Sequence, residues 1–267
     1  MPHVSALYRY PLKSAIGEPL PALELDALGV AGDRRWMLVE EDSGRFLTQR
    51  ALPQMAHLLA RWNETGGLRL SAPGLPDLDV PRPGSDAAWR GVVIWKDALQ
   101  APDAGDTAAE WLSRFIGKRC RLVYMPTERG RLIAGALASS EKVAFPDGFP
   151  LLLIGQASLD DLQGRVGRPL EMRRFRPNLV IEGASAFAED GWKRIRIGGQ
   201  VFRVAGGCSR CILTTIDPDL GERSPDREPL TTLKTYRERE GQVYFGQNLV
   251  HEGLGRLEVG MAVEILD

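Results

Sequence analysis

No apolar run in this chain is long enough to span a membrane. The longest, around Pro150 to Ile154, is the size of a strand, whereas a spanning helix needs about 18 apolar residues or more. A fold made from such pieces must bury many short elements against one another. Material for that is ample: 43% of the 267 residues are hydrophobic and 26% charged, the balance of an ordinary globular protein with room for one large domain or two small ones. The N-terminal stretch, MPHVSALYRYPLKSA, has no basic segment followed by an apolar run, so no signal peptide is expected.

Charge and cysteine content narrow the classes of function. The 34 lysines and arginines nearly cancel 35 aspartates and glutamates. That balance argues against nucleic-acid binding driven by phosphate neutralisation, though a local basic pocket is compatible with it. Three cysteines, Cys120, Cys208 and Cys211, are too few for a disulfide-stapled secreted scaffold. A cytoplasmic location and no membrane partner are expected.

Short strands dominate the pattern. Val4, Ala6, Tyr8 and Tyr10 alternate with Ser5, Leu7 and Arg9, and Trp36–Val39 and Leu68–Leu70 read as further strands. Residues 71–89, rich in Pro, Gly and Asp, read as turns, which suggests a domain boundary near residue 100. Beyond it, Ala108, Trp111, Leu112 and Phe115 fall at helical spacing, with Asp106 or Thr107 as cap and Gly117 as stop. Arg121–Tyr124 and Leu151–Ile154 read as strands. A second helix is expected with Ser158 as cap, Asp161 as its capping-box acid and Gly167 as stop. Gly198-Gly199 is a two-residue hairpin turn between alternating strands. Ile212–Ile216 is a β-branched run, Pro229 opens a helix with Leu230, Leu233 and Tyr236, and Val259–Leu266 closes the chain as a strand. The class is α+β, mainly β: curled or barrel-like sheets with a few short helices.

Three segments could carry chemistry. In GGCSRCILTTIDPD (206–219), two cysteines lie three apart behind a pair of glycines. Four readings stay open. Structural zinc needs two more ligands, from Cys120 or three scattered histidines. A redox dithiol would want a helix after the pair, where a β-branched run follows. Two buried small residues are possible, although the glycines and Arg210 are poor core texture. Last, one thiolate could bind a metal whose other ligands come from an organic cofactor, with Arg210 as the neighbouring cation. In MRRFRPNLVIEG (172–183), Arg173, Arg174 and Arg176 precede Asn178 and a strand. This is either a solvated basic loop or an anion site built on bidentate guanidinium bonds. In YPLKSAIGEPL (10–20) and GDRRW (32–36), Lys13, Ser14, Arg34 and Arg35 read singly as surface turns, and the Lys-Ser pair lacks the glycines of a P-loop.

Taken together and in order, YPLKS, GDRRW, FPLLLIGQASLDDL, FRPNLVI, CSRCILTTIDPDLGERSPDREPLTTLKTYR and FGQNL resemble the MOSC family, named after the C-terminal domain of molybdenum cofactor sulfurase. The closest resemblance is to the branch containing the mitochondrial amidoxime-reducing component and its bacterial relatives. It implies a MOSC N-terminal β-barrel-like domain over residues 1–100 and a MOSC domain over 101–267. It implies a molybdenum–molybdopterin cofactor whose metal takes Cys211 as protein ligand and catalytic centre. It places Lys13, Ser14, Arg34, Arg176, Asn178, Ser209 and Arg210 around that cofactor, with Asp147, Gly148 and Asn248 nearby, and leaves Cys208 secondary. The activity implied is reduction of N-hydroxylated compounds: amidoximes, hydroxylamines and N-hydroxylated bases. Three cysteines cannot supply a four-cysteine iron–sulfur site, so a separate electron donor is expected: a ferredoxin, flavodoxin or cytochrome-like protein. The competing expectation is a cofactor or sulfur carrier without turnover of its own.

Overall fold

The computed structural model describes residues 1–133 and 141–267. Its backbone is one large sheet with smaller sheets and three helices around it, an α+β fold dominated by strands. In spatial order the large sheet runs Glu18–Leu20, His3–Arg9, Leu179–Glu182, Leu151–Gly155, Gln242–His251, Gln200–Arg210, Arg194–Ile197 and Val263–Ile265. A single bridge between His3 and Ala262 draws the far edge back toward the first strands. The sheet is therefore strongly curled, but the described residues form no closed barrel. Among them, no helix is long and apolar enough to cross a membrane.

Of the hydrophobic clusters on this frame, two are the largest. One gathers Leu12, Trp36, Leu38, Leu68, Leu70, Trp111, Leu112 and Leu122. The other lines the curled sheet with Val4, Leu7, Leu153, Phe202 and Leu249. The strict alternation expected from Val4 fails, because a bulge between Val4 and Ala6 shifts the register and puts Leu7 on the buried face with Val4. Segments distant in sequence are interleaved: Gly255–Glu258 pairs with Ala22–Asp26, and His3–Arg9 pairs with Leu179–Glu182.

Helix α1 (Asp106–Ile116) ends at Gly117 in the left-handed conformation, as a C-terminal glycine allows. Its N-cap is Gly105, so Asp106 is the first helical residue and neither Asp106 nor Thr107 caps it. Helix α2 (Gln156–Val166) starts directly from the strand Leu151–Gly155, and Ser158 lies inside it. Ser158 is fully buried and donates to Glu189 (2.8 Å) while accepting from the Phe187 amide (2.8 Å). Glu189 also accepts from the Gly155 amide at 3.0 Å. The hydroxyl thus ties strand, helix and a distant loop together, a stronger demand than capping. Asp161 pairs instead with Arg165, one turn on.

The Gly198-Gly199 turn forms as expected, with Ile197 opposite Gln200. Ile212–Thr215 does not extend as a strand; it folds into a 3-10 turn, and only Ile216–Asp217 pairs. The turn satisfies backbone carbonyls through the Thr214 and Thr215 hydroxyls, at 3.0 and 2.7 Å, an option that outcompetes β-propensity. Helix α3 covers Leu230–Arg237, and of Val259–Leu266 the strand itself takes only Val263–Ile265.

Two glycines give opposite expectations. Gly246 has φ +80°, and a Cβ there would come within 2.6 Å of Ile154 and 2.8 Å of the Leu153 carbonyl. Gly246→Ala is expected to lower unfolding free energy by about 2 kcal/mol or more. Gly164, exposed within α2, has open space around it, so Gly164→Ala should raise stability by about 0.5–1 kcal/mol. Urea denaturation of both variants checks the pair.

Candidate functional site

A cavity of about 510 Å³ opens where the chain after the first strand meets the ends of the central strands. Every residue marked above as a site candidate lines it: Lys13, Ser14, Arg34, Asp147, Gly148, Arg176, Asn178, Ser209, Arg210, Cys211 and Asn248. Arg50, Trp95, Phe175, Cys208 and Thr214 also line it. Of the other arginines in the same motifs, Arg35 turns away to Asp26 and the Met125 carbonyl. Arg173 and Arg174 pair with Asp219 and Asp217, so only Arg176 of that basic cluster reaches the cavity.

The backbone is bent to achieve this convergence. Among the described residues, seven non-glycine residues have positive φ, and four of them line the cavity: Ser14 (66°), Arg34 (43°), Trp95 (54°) and Arg176 (57°). Each such residue costs on the order of 1 kcal/mol or more and persists only where its surroundings hold it. The cysteines are aimed by a different device. Cys208 stands near the end of the long strand Gln200–Arg210, and Cys211 follows it directly as the cap of the 3-10 turn. That strand shifts register twice against Gln242–His251, between Val204 and Gly206 and between Gly207 and Ser209. The paired glycines serve these bulges: Gly206 has φ +122°, and Gly207 leaves room for the Tyr244 ring, 3.0 Å from where its Cβ would be.

Five cations face a single space, and the protein restrains them individually. The Arg34 and Arg176 guanidinium groups each lie 4.3 Å from the centroid of the Tyr10 ring. Tyr10 is itself buried and fixed at its hydroxyl, which donates to the Pro177 carbonyl (3.0 Å), and at its amide, which donates to Asp33 (2.7 Å). Burial pushes the Tyr10 phenol well above its usual range. Arg34 binds Asp33 (2.5 Å), the Asn178 side-chain oxygen (3.1 Å) and the Arg176 carbonyl (3.1 Å). Arg176 donates through Nη1 to the Ala15 carbonyl at 2.5 Å. Its Nη2 is buried without any partner. Burial, reinforced by the Arg34 charge, brings the Arg176 pKa down to about 10. An unpaired buried donor on a crowded cation is costly, and an oxyanion in the cavity would relieve it.

The Asn178 amide lines the cavity but is largely committed within the protein. Its oxygen already accepts from Arg34 and from the Leu152 amide (3.2 Å), and its nitrogen donates to the Tyr8 carbonyl (3.2 Å). Its geometry is that of a clamp on Arg34, with one N–H left over.

Around the cysteines, each sulfur has its own arginine. Arg210 donates to Cys208 at 3.1 Å and to the Phe175 carbonyl at 2.7 Å. The cation beside Cys211 is Arg50, whose Nε donates to the sulfur at 3.2 Å. Arg50 also binds Asp147 (2.6 Å) and stacks on Trp95, 4.9 Å from the ring centroid. Asp147 in turn accepts from Lys13 (2.5 Å) and the Trp95 indole N–H (3.2 Å). Burial tends to raise the Asp147 carboxyl, but Lys13 and Arg50 prevail and hold it far below the usual range. Lys13 is displaced the other way: burial brings it down to about 8, with Asp147 opposing. Sequence alone missed Arg50 and Trp95, since LTQRA and IWKD carry no pattern that marks a site.

All three cysteines are free thiols. Cys120 is a core residue at the start of its strand, its thiol pKa raised by burial. Among the described residues, no three His, Cys, Asp or Glu side chains converge as metal ligands.

Known proteins align with the chain over nearly its whole length. Residues 1–119 match the MOSC N-terminal beta barrel domain and residues 140–264 the MOSC domain. The mitochondrial amidoxime-reducing component 1 of Homo sapiens is 34% identical over 282 residues, 98% of this chain and 82% of that protein. The mitochondrial amidoxime reducing component 2 of Bos taurus is 36% identical over 275 residues, 96% of this chain and 81% of that protein. Among solved structures, the YUAD protein of Bacillus subtilis covers 99% of this chain and 95% of its own at 12% identity, with a TM-score of 0.45. The chain belongs to the MOSC family, in company with the amidoxime-reducing components.

Proposed function

We propose that this protein is a molybdenum-cofactor-dependent reductase of N-hydroxylated compounds, with Cys211 as the protein ligand to the metal. The relatives named as amidoxime-reducing components support the reaction class. The observation that carries the site is one cavity whose lining includes both a free thiol, Cys211, and Arg176, a buried guanidinium with one nitrogen left without a partner. Those two groups suit the two ends of molybdenum–molybdopterin: a soft metal wanting sulfur and a phosphate wanting arginine.

Bound there, the cofactor would supply two-electron removal of oxygen from nitrogen. The chain supplies the rest. Cys211 would hold the metal. Arg176 would give its free N–H to the phosphate, with Arg34 beside it, and Asn178 and Asp33 keep Arg34 in place. Ser14, Ser209 and Asn248 offer polar groups to the pterin edge, and Gly148 leaves open space at the wall. Lys13 adds charge, held by the Phe145 carbonyl (2.7 Å) and Asp147. Electrons would arrive from a separate protein, a ferredoxin, flavodoxin or cytochrome-like donor. A cytoplasmic setting is part of the same proposal.

The deciding experiment assays cofactor-loaded protein with an artificial one-electron donor and a hydroxylamine. Turnover supports the reductase. Retained molybdenum without turnover would make the protein a carrier, and zinc without molybdenum would end the proposal. Cys211→Ser should abolish turnover and alter the metal's spectrum, while Cys208→Ser should be milder; equal losses would mean that the ligand is misassigned.

The phosphate contact has its own signature. Arg176→Ala should weaken cofactor retention by about ten-fold or more, as loss of a charge-assisted bond does, read as molybdenum content after dialysis. Lys13 carries its charge below about pH 8 and loses it above, instead of near its ordinary 10.5. Retention should therefore fall as pH rises through about 8, and Lys13→Gln should flatten that dependence.

A further inference from the structure

Arg50 is absent from the ligand set that the family resemblance implies, yet it makes a direct side-chain hydrogen bond to the Cys211 sulfur, at 3.2 Å. Its guanidinium is held on several sides. Nη2 is bound to Asp147 at 2.6 Å, and its Cζ sits over the Trp95 ring, 4.9 Å from the centroid. The indole N–H and Lys13 fix Asp147 from the far side, and Phe46 packs on Trp95 with ring centroids 5.0 Å apart. The Arg50 backbone is also tied down, because Arg223 donates to its carbonyl. Trp95 occupies the first position of a two-residue hairpin turn between Ile94 and Asp97, at φ 54°. Glycine is the usual residue there. A tryptophan in that strained place is explained by its hold on Arg50 and Asp147.

A guanidinium is a rigid planar fork. Once Asp147 and Trp95 set its plane, the direction of the Nε–H bond toward Cys211 is set too. We propose that Arg50 is a positioning residue for the metal-binding sulfur: its N–H bond orients the Cys211 side chain and withdraws electron density from the sulfur, raising the reduction potential of the metal bound there. Hydrogen bonds to ligating sulfur act in this direction at other metal centres. Arg50 neither gains nor loses a proton or an electron in this role. The inference rests on Cys211 being the ligand and adds what tunes it.

The test is a potentiometric titration of the cofactor-loaded protein, followed by the electron paramagnetic resonance of molybdenum(V), in wild type, Arg50→Lys, Arg50→Gln and Asp147→Asn. Arg50→Gln should keep its molybdenum, shift the midpoint potential to more negative values and change the resonance. Arg50→Lys should not restore either, because an ammonium cannot bridge sulfur and carboxylate in one plane. Asp147→Asn, which loosens the fork without removing it, should shift both by less. Full molybdenum content with unchanged potential and spectrum in Arg50→Gln overturns the proposal. So does loss of molybdenum from Arg50→Lys and Arg50→Gln alike, since Arg50 would then be holding the cofactor rather than tuning the sulfur. An unaltered resonance in Cys211→Ser would instead remove the ligand assignment and leave Arg50 as a partner of a bystander thiol.

Discussion

Five positive side chains converge on one cavity, and the site depends on stopping them from driving it open. Lys13, Arg34, Arg50, Arg176 and Arg210 all line it. Only Asp147 among the lining residues carries a negative charge, with Asp33 behind Arg34. The remaining restraint comes from an aromatic face and from backbone. Tyr10 sits against two guanidinium groups at once, and its own position depends on Gly17, where a Cβ would fall 2.2 Å from the ring. Carbonyls of Ala15, Phe145, Phe175 and Arg176 take further N–H bonds. Repulsion is balanced without being neutralised, so the cavity keeps a net attraction for anions.

That balance explains where strain is placed. Left-handed backbone at Ser14, Arg34, Trp95 and Arg176 lets neighbouring residues face opposite ways within very short segments. Arg34 can look into the cavity while Arg35 reaches Asp26 on the other side. The long strand ending at Arg210 solves the same problem with bulges, which turn its last residues toward the opening. Rigid sheet supplies the foundation, and irregular backbone supplies the aim.

The motifs were legible because chemistry leaves residue types where packing would not choose them. Two thiols behind paired glycines, and an arginine before Pro177-Asn178, are poor core material, and each proved to border the cavity. What stayed hidden was direction. Asn178 looked like a group offered to a ligand, but its amide is bound to Arg34, Leu152 and Tyr8. Arg210 read as the cation beside the metal-binding thiolate, and the thiol it bonds is that of Cys208. Arg50 gave no signal, since its partners lie 97 and 161 residues away in sequence. The fold followed the same division. Helices with glycine stops and the Gly198-Gly199 hairpin could be read locally. The bulge at Val4 and the buried bonds of Ser158 were set by contacts that no short window contains.

The cavity walls are drawn from residues as far apart as Lys13 and Asn248, and the strand Gly255–Glu258 is stitched to Ala22–Asp26. A nascent chain still emerging from the ribosome therefore has no pocket to offer, since its first and last walls are synthesised far apart in time. Whatever group settles among these arginines must be delivered to a finished polypeptide, and the slow closure expected of such non-local pairing sets the earliest moment at which it can be received.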